Sequence, residues 1–473
     1  MEIELLGGCT KEQLENRIRN VTAAGKLSRF PGNVFEVLES CDDYEKNLKM
    51  VKRIIGMGHK SIIEHDYLVF ALCDVSPIIE QTLIGSRLAS FTVKSRREVD
   101  FRTVGYYIPE FRDKEGNIHK NNAELQRKYK EGMSSLFNSY GEFVDNGIKV
   151  EDARFLLPYS YHSNFIMGLN ARELEKLVIA LLHGKVSKIA EAKEVGMKLY
   201  EIIKEAVPYL VDNIEKQLDR ENDFEYLESM VERPKIEILD KTQLIHYIPN
   251  ADEQVILSHI MYHYQCTEAK AKELLQEMET KDAECRKKIM DNILNKEENR
   301  ELEQVSFTFQ IPISLSILTH LTRHRMHSLL VPEFTPMWDL NNYIIPQSIQ
   351  DNEKLKELYI QKVNENMELY NEFVKEGVME EDLVYFYIGG QMCNVMTTMN
   401  ARTLQWVCRM RCCNKAQWQI RNIAKEMAKQ VTQVAPLIGK GLGATCVTQY
   451  ACYEGRESCG LIEKILANKE KYE

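Results

Sequence analysis

The tripeptide Asn-Ala-Arg occurs twice in this chain, starting at Asn170 and again at Asn400, 230 positions later. Other signals recur at similar distances of 230 to 238 positions. They are the Glu-Asp pairs at 151–152 and 381–382, the apolar stretches 79–90 and 317–328, and the Ile-Pro pairs at 108–109 and 345–346. Several paired signals at near-constant spacing predict a duplicated domain. We expect one fold written twice, with a first repeat over 1–230 and a second over 231–473.

Each predicted repeat begins with strand signals and ends with long helices. The stretches 67–72 and 305–309 are apolar and β-rich, and the second alternates at period two, as a half-buried strand does. A predicted helix follows each stretch and runs into 85–87 or 323–325, and then comes a tyrosine-containing strand that ends at Ile-Pro. Helical spacing covers 121–147 and 351–377, where Gly147 and Gly377 are the predicted helix stops, and the long final helices lie within 171–206 and 401–439.

Composition restricts the compartment and the partners. The formal net charge of −10 argues against broad nucleic-acid binding, so an anionic ligand must meet a local arginine cluster. The first residues show no basic region followed by an apolar core, and no apolar run approaches the roughly 20 residues of a membrane span. We expect a cytoplasmic protein with neither a nucleic-acid nor a membrane partner.

The twelve cysteines show no Cys-x-x-Cys spacing, so free thiols are the default interpretation in a cytoplasmic chain. Cys408, Cys412 and Cys413 form the one cluster that the spacing suggests, and Cys408 and Cys412 would share a helix face. A metal site there is the alternative. No matching histidine pair lies nearby in sequence, so we predict no metal site.

The densest cationic feature is Arg323-His324-Arg325. Three successive donors at a helix or its first turn suit a phosphate or pyrophosphate group, although an isolated basic triplet is more often a solvated helix face. The apolar flanks make a solvated face less suitable, because buried arginines need partners. On a helix, His320, His324 and His327 would share one face, where hydrogen-bonded packing is favoured over metal binding.

Asn400 and Arg402 open a predicted helix that also carries Arg411. Asn400 suits a helix N-cap, and the alternative is an amide and a guanidinium directed at a heterocycle or phosphate. A polar loop with Ser95 and Arg97 is open to the same two interpretations, loop or phosphate site. No glycine-rich dinucleotide or Walker loop is present, so a bound cofactor is expected to carry any chemistry.

The motifs of both repeats resemble those of the flavin-dependent thymidylate synthase family (ThyX). In the second repeat they are Arg323-His324-Arg325 with Ser328, Asn400-Ala401-Arg402 and Ala416-Gln417-Trp418-Gln419-Ile420. In the first they are Gly-His-Lys-Ser-Ile-Ile-Glu-His at 58–65, Arg87-Leu88-Ala89-Ser90, Ser95 with Arg97, and Asn170-Ala171-Arg172. The resemblance covers most of both repeats. It implies an α+β fold of two repeats, each a mostly antiparallel sheet flanked by long helices.

Against the family pattern, the two repeats have lost different positions. The first has Gly85-Ser86 in place of Arg-His and Leu181 in place of a nucleotide-binding arginine, but it keeps Ser95, Arg97 and Arg154. The second has Glu333-Phe334-Thr335 in place of Ser-x-Arg and Val384 in place of Arg154, but it keeps Arg323, His324, Arg325 and Arg411. Members of the family are homotetramers with shared sites. The resemblance therefore implies a composite site from both repeats, in a homodimer that mimics the tetramer.

The roles that the resemblance implies fall into three groups. FAD would be held by His59, Ser61, Arg323, His324, Arg325, Asn400 and Arg402. A pyrimidine nucleotide, dUMP or a relative, would be held by Ser95, Arg97, Arg154, His320, Arg323 and Arg411. Arg411 is the predicted catalytic residue, because it would stabilise negative charge on the pyrimidine. The implied activity is FAD-dependent reductive methylation of the nucleotide, with NADPH and methylenetetrahydrofolate as candidate co-substrates.

One departure from the family leaves the activity open. The signature glutamate is Val93 in the first repeat and Val331 in the second, and His320 stands where the family usually has a glutamine. The alternative is therefore a non-catalytic paralogue that binds a nucleotide or a flavin.

Overall fold

The structure is a computed structural model that describes residues 1–219, 230–232, 234–334 and 339–468. The chain forms two compact units. Unit 1 consists of Met1–Ile236 and Glu333–Gln391, and unit 2 of Glu237–Pro332 and Met392–Glu473. Unit 1 thus includes a segment that the sequence duplication assigns to the second repeat, so the repeats at 1–230 and 231–473 remain a proposal about the duplication.

Each unit contains one four-stranded antiparallel sheet, and the two sheets have the same strand order. The order is β1-β2-β4-β3 in unit 1 and β5-β6-β8-β7 in unit 2. The strands are β1 Glu2–Leu5, β2 Tyr67–Val75, β3 Ala89–Val93, β4 Ser163–Asn170, β5 Gln243–Tyr247, β6 Ser306–Ser314, β7 Ser328–Leu330 and β8 Met392–Asn400. The predicted α+β fold, with two antiparallel sheets and flanking helices, is confirmed.

The other regular elements among the described residues of both units are helices. In unit 1 the α-helices are Lys11–Leu27, Val34–Glu39, Tyr44–Gly56, Pro77–Ile84, Asn122–Asp145, Val150–Ala153, Ala171–His183, Ala190–Ala206, Val211–Leu218, Gln347–Gln350 and Glu353–Glu376. In unit 2 they are Ala251–Tyr264, Glu268–Lys281, Cys285–Leu294, Leu315–Thr322, Ala401–Arg411, Trp418–Val434, Pro436–Gly439, Thr445–Thr448 and Leu461–Ala467. Short 3-10 helices span Lys60–His65, Lys185–Lys188, Arg300–Gln304, Glu380–Asp382, Val384–Phe386 and Gly455–Glu457. In the described part of the chain, no helix is both long and apolar enough to cross a membrane.

The two apolar stretches predicted as strands, 67–72 and 305–309, correspond to β2 and β6. In β6, Phe307, Phe309 and Ile311 are fully buried and the residues between them are partly exposed, as a strand with one face on a core requires. The register is repeated as well, because Tyr67 pairs with Asn170 and Ser306 pairs with Asn400. Each Asn-Ala-Arg therefore lies where a central strand ends and a helix begins.

The two long helices Asn122–Asp145 and Glu353–Glu376 pack against each other within unit 1. Edge-to-face aromatic contacts extend the core beside them, between Phe111 and Phe373 and between Tyr129 and Phe386. Both helices end as predicted. Gly147 and Gly377 have φ values of +84° and +81°, a left-handed conformation that glycine adopts without steric cost.

The predicted tyrosine-containing strands are single bridges instead. Tyr106 pairs with Tyr161, and Tyr343 pairs with Gln391, each as an isolated antiparallel bridge. A proline closes each segment and has no N–H to donate, so a longer ladder cannot continue there. The prediction of full strands at these two places was wrong.

Candidate functional site

The two asparagines of the repeated tripeptide are helix N-caps. The Asn170 side-chain oxygen accepts a hydrogen bond from the Glu173 backbone N–H at 3.0 Å, and that of Asn400 accepts one from the Thr403 N–H at 2.8 Å. Each bond satisfies an otherwise unpaired donor in the first helical turn. The capping interpretation is thus confirmed in both units, and the side-chain NH2 is the part of each amide that the cap does not use.

The two arginines of the tripeptide make the same ion pair in each unit. Arg172 pairs with Glu64, and Arg402 Nη1 lies 2.6 Å from Glu303 Oε1. In each unit the glutamate lies on the short 3-10 helix that precedes a central strand, which is β2 in unit 1 and β6 in unit 2. The local geometry therefore does not distinguish Arg172 from Arg402.

A second side-chain pair near each tripeptide is charged in unit 1 and neutral in unit 2. In unit 1, Lys60 Nζ lies 2.7 Å from Glu175 Oε2, and Glu175 is 1% exposed. In unit 2, the Asn299 Nδ2 donates to Gln405 Oε1 at 2.9 Å, and both residues are buried. The duplication has kept the hydrogen bond while exchanging a charged pair for a neutral one.

The Arg-His-Arg triplet follows a helix rather than lying on one. The helix Leu315–Thr322 ends with Arg323 as its C-cap, and β7 begins at Ser328. The predicted location on a helix or at its first turn was wrong, and so was the shared helix face for the three histidines. At a helix C-terminus, the partial negative charge of the unpaired carbonyl groups favours cations. Only His320 lies within the helix, where it is buried.

His324 and Arg411 are in direct contact in unit 2. Arg411 Nε donates to His324 Nε2 at 2.8 Å, across 87 residues of sequence. Burial, together with the neighbouring charges of Arg411, His327 and Arg323, lowers the pKa of His324 to about 3. His324 is therefore a neutral acceptor at physiological pH, with its remaining proton on Nδ1.

Two further contacts hold the turn that carries the triplet. His327 Nδ1 lies 2.6 Å from Thr397 Oγ1 on β8, and the Thr403 hydroxyl donates to the Met326 carbonyl at 3.2 Å. The second contact joins the turn to the first turn of the helix Ala401–Arg411. Arg323 and Arg325 are exposed on this turn, so the turn presents two guanidinium groups beside the Asn400 cap.

In unit 1 the predicted phosphate-binding residues gather around Glu151. Arg97 Nε lies 2.6 Å from Glu151 Oε2, and its backbone N–H donates to Ser95 Oγ at 3.3 Å. Arg154 Nε donates to the backbone carbonyl of Glu151 at 3.1 Å, and Arg154 is 4% exposed. Ser95, Arg97 and Arg154 are therefore neighbours, although Arg97 and Arg154 are 57 positions apart in sequence.

A third arginine, Arg96, belongs to the same cluster. Its guanidinium forms two bonds to Glu80, at 2.8 and 2.9 Å, and a third to the Tyr161 hydroxyl at 2.6 Å. Burial and the charges of Arg96 and Arg97 together lower the pKa of Arg154 to about 10, although Tyr161 and Glu151 act in the opposite direction. Three guanidinium groups thus lie close together, and the carboxylates of Glu80 and Glu151 pair with two of them. We did not identify Arg96 or Glu151 from the sequence, because their roles depend on partners far along the chain.

The remaining predicted positions are scattered between the units. His59 and Ser61 are exposed in unit 1, where Ser61 lies on the 3-10 helix Lys60–His65. Val93 ends β3, Val331 follows β7, and Val384 is buried in unit 1. Thr335 lies outside the described residues. A surface recess of about 700 Å³ between the helices Asn122–Asp145 and Glu353–Glu376 contains none of the predicted residues.

The side chains of unit 2 fit a flavin dinucleotide in their chemistry. Arg323 and Arg325 are exposed on one turn, and Arg402 opens the adjacent helix. Guanidinium groups match the paired oxygens of a pyrophosphate, and an amide such as Asn400 can bond to the polar edge of a ring. The donor set therefore fits an anionic ligand that also carries a heterocycle.

Comparison with known proteins gives matches in both halves of the chain. A family model for thymidylate synthase complementing protein matches residues 12–209 and again residues 243–437. The flavin-dependent thymidylate synthase of Clostridium tetani is 30% identical over 240 residues, which are 46% of this chain and 93% of the relative. That of Geobacter sulfurreducens is 33% identical over 175 residues, 36% of this chain and 75% of the relative.

Among solved structures, a UMP/dUMP methylase from Streptomyces cacaoi bound with 5-Br dUMP aligns with a TM-score of 0.37 and 19% identity. The alignment covers 46% of this chain and 94% of that chain. A likeness this weak supports no inference about the ligand.

Proposed function

Since the chain belongs to the family of thymidylate synthase complementing proteins, we propose that it is a flavin-dependent enzyme that reductively methylates dUMP or a related pyrimidine nucleotide. The observation that carries this proposal is the match along 93% of the Clostridium tetani flavin-dependent thymidylate synthase by about half of this chain. The resemblance seen in the motifs is confirmed at the level of the family, and so is the tandem repeat.

The nucleotide phosphate is assigned to the cluster of unit 1. Arg97 and Arg154 would supply guanidinium donors, and the Ser95 hydroxyl a third hydrogen bond. The proposal is supported by the buried position of Arg154 beside Arg96 and Arg97, because burial and these charges lower its pKa and an anion beside it would favour its charged form. Charge-assisted bonds of this type are the stronger class of hydrogen bond in proteins.

The pyrimidine ring is assigned to Arg411. The bond from its Nε to His324 fixes the plane of the guanidinium, so that His324 acts as a positioning residue. Arg411 would stabilise negative charge on the pyrimidine ring in the electron-rich form whose C5 attacks the one-carbon donor, and a single lost donor of this kind typically costs about 10²- to 10³-fold in rate.

The flavin is assigned to His59, Ser61, Arg323, His324, Arg325, Asn400 and Arg402. When bound, FAD would supply the hydride that converts the carbon at C5 into a methyl group. The arginines would bind its pyrophosphate, and the Asn400 NH2 would donate to its ring. His320 and Arg323 are further contacts for the nucleotide.

The composite site and the homodimer are proposed because the two repeats have lost different positions of the family pattern. What each repeat retains would combine into a composite site, in a homodimer that replaces the family's tetramer. NADPH as the reductant, methylenetetrahydrofolate as the carbon donor and a cytoplasmic location belong to the same proposal.

Activity can be tested on the purified full-length chain. We expect a yellow protein with the absorbance of bound flavin, and NADPH oxidation that depends on both dUMP and methylenetetrahydrofolate. The decisive result is the formation of dTMP in the same reaction. Colourless protein that takes up no added FAD would refute the proposal.

The assignment of roles can be tested with a matched pair of variants. Arg172→Ala and Arg402→Ala each break the same type of ion pair, so their effects on folding should be similar. We expect Arg402→Ala to weaken FAD binding strongly and Arg172→Ala to weaken it less. Equal loss of flavin would contradict the asymmetric assignment. Arg97→Ala and Arg325→Ala should each abolish nucleotide or flavin binding.

The alternative is a paralogue that binds nucleotide or flavin without turnover. Val93 and Val331, at the two places of the signature glutamate, favour it. In that case a titration would detect binding of FAD or dUMP, whereas no dTMP would form with any reductant.

A further inference from the structure

Three large apolar side chains are exposed near the arginine turn of unit 2. Trp406 and Met410 are 58% and 48% exposed on the helix Ala401–Arg411, and Met326 is 79% exposed on the turn before β7. Trp406 and Met410 are four positions apart, so they lie on the same face of the helix. The Thr403 hydroxyl donates to the Met326 carbonyl at 3.2 Å and joins the turn to the start of this helix. We call the three apolar side chains the Trp406 patch.

Guanidinium groups border the Trp406 patch. Arg402 lies four positions before Trp406 on the same helix face, and Arg325 directly precedes Met326 on the turn. Arg325 is exposed, and the Arg402 side chain is 33% exposed beside Glu303. An exposed aromatic ring next to guanidinium groups suits a ligand that joins a flat ring to phosphate, because the ring stacks on the aromatic face and the phosphate accepts charge-assisted hydrogen bonds.

Unit 1 shows that the fold does not require an aromatic residue at this place. Six positions after the asparagine of each tripeptide, unit 1 has Lys176 and unit 2 has Trp406. Lys176 Nζ lies 2.6 Å from Glu173 Oε1, in an ion pair on the surface of the helix Ala171–His183. Both helices nevertheless begin with the same asparagine cap. Packing of the fold therefore does not explain the indole of Trp406, and grouped exposed apolar side chains are typical of binding sites.

We propose that Trp406 stacks on the isoalloxazine ring of FAD. This inference rests on the proposed function, which assigns Asn400 to the flavin ring and Arg411 to the pyrimidine. Trp406 lies between them on one helix, roughly 9 Å from Asn400 and roughly 8 Å from Arg411 along the axis. Flavin and pyrimidine have to be close together to react, so the isoalloxazine ring, and not the adenine ring, is placed at this part of the helix.

The same inference sets the number of flavins. Lys176 offers unit 1 no flat surface for a ring, and its ammonium group is already paired with Glu173. The flavin would therefore bind in unit 2 alone. We expect one FAD per chain, although the tripeptide occurs twice.

The affinity test titrates FAD into the full-length chain after removal of bound flavin. Loss of an aromatic stacking partner typically weakens binding about 5- to 150-fold, which we expect for Trp406→Ala. Trp406→Phe keeps a ring and should lose less. The matched control is Tyr262→Ala, because Tyr262 is an aromatic residue of unit 2 that is 80% exposed on a different helix, Ala251–Tyr264. Its affinity for FAD should not change, and thermal unfolding checks that all three variants are folded.

Flavin fluorescence identifies which ring of FAD lies on Trp406. An indole in van der Waals contact with an isoalloxazine ring quenches the flavin emission by electron transfer, whereas a phenyl ring does not. We expect bound FAD to emit weakly in the unaltered chain and more strongly in Trp406→Phe at equal flavin occupancy. Equal emission in the two proteins would overturn the proposal, since stacking of the adenine ring would leave the flavin emission unchanged.

The remaining outcomes separate this inference from the proposed function. A chain that binds FAD with the same affinity in Trp406→Ala would overturn the stacking role and leave the flavin enzyme standing. Failure of the unaltered chain to take up FAD would overturn both. A change in the sedimentation of Trp406→Ala at unchanged FAD affinity would make the Trp406 patch a contact between copies of the chain. Two FAD per chain would also contradict the inference.

Discussion

Glu191 gives unit 1 a pH-dependent stability that can be measured against an internal control. Its buried carboxyl accepts hydrogen bonds from the Ser76 N–H at 2.7 Å, the Ser76 hydroxyl at 2.6 Å and the Tyr385 hydroxyl at 3.0 Å. Burial raises its pKa from 4.5 to about 7, although these donors act in the opposite direction. In unit 2 the corresponding residue is Gln419, which accepts from the Ser314 hydroxyl at 2.5 Å.

The sign of the effect follows from proton binding. Between pH 4.5 and about 7, folded Glu191 keeps a proton that the unfolded chain releases. The stability associated with this proton is present at low pH and is lost as the pH rises toward 7. At about 1.4 kcal/mol per pH unit, the shift corresponds to about 3 kcal/mol. Because Glu191→Gln is neutral at all these pH values, it should remove this loss.

The assay compares denaturant unfolding of the unaltered chain and Glu191→Gln at about pH 5 and about pH 8, with hydrogen exchange of the helix Pro77–Ile84 to localise the effect. We expect similar stability at the lower pH and a variant more stable by up to about 3 kcal/mol at the higher pH. The reverse substitution Gln419→Glu should create the same pH dependence in unit 2. Parallel pH profiles for Glu191→Gln and the unaltered chain would refute the reasoning.

Two further predictions concern the pairs that differ between the units and the histidine beside Arg411. Lys60→Met should destabilise unit 1 by about 3–5 kcal/mol, because it leaves Glu175 buried without its cation. Adding Glu175→Gln should recover much of this loss. Chemical denaturation of the single and the double variant measures both effects. His324 is neutral because burial and nearby cations lower its pKa to about 3. Its NMR signals should therefore show no titration between about pH 5 and about pH 8, where an ordinary histidine titrates; a midpoint near pH 6.5 would contradict the assigned contact with Arg411.

Much of the fold followed from local sequence signals. The caps at Asn170 and Asn400, the glycine stops at Gly147 and Gly377 and the strand alternation of 305–309 depend on neighbours within a few residues. Such signals appear in sequence because backbone geometry imposes them locally. The repeated spacing then predicted two copies of one sheet.

The end of the helix at Thr322 did not follow in the same way. The residues 323–325 directly follow the apolar helical stretch 315–321, and no glycine or proline separates the two, so the sequence extended the predicted helix through them. In the structure the chain turns there and starts β7, which pairs with β8 about 70 positions later. A long-range strand pairing decided the end of this helix, and such pairings leave little trace in local sequence.

The sequence by itself determined the duplication, the two antiparallel repeats and the kinds of side chain available to a site. Tertiary structure decided which of these side chains meet, as in the contact of Arg411 with His324 and the clustering of Arg97 with Arg154. It also decided their protonation, since the lowered pKa values of His324 and Arg154 arise from burial and neighbouring charges. The physical reason is that residue type is a property of one position, whereas exclusion of water and the nearness of charges arise only when distant segments pack together.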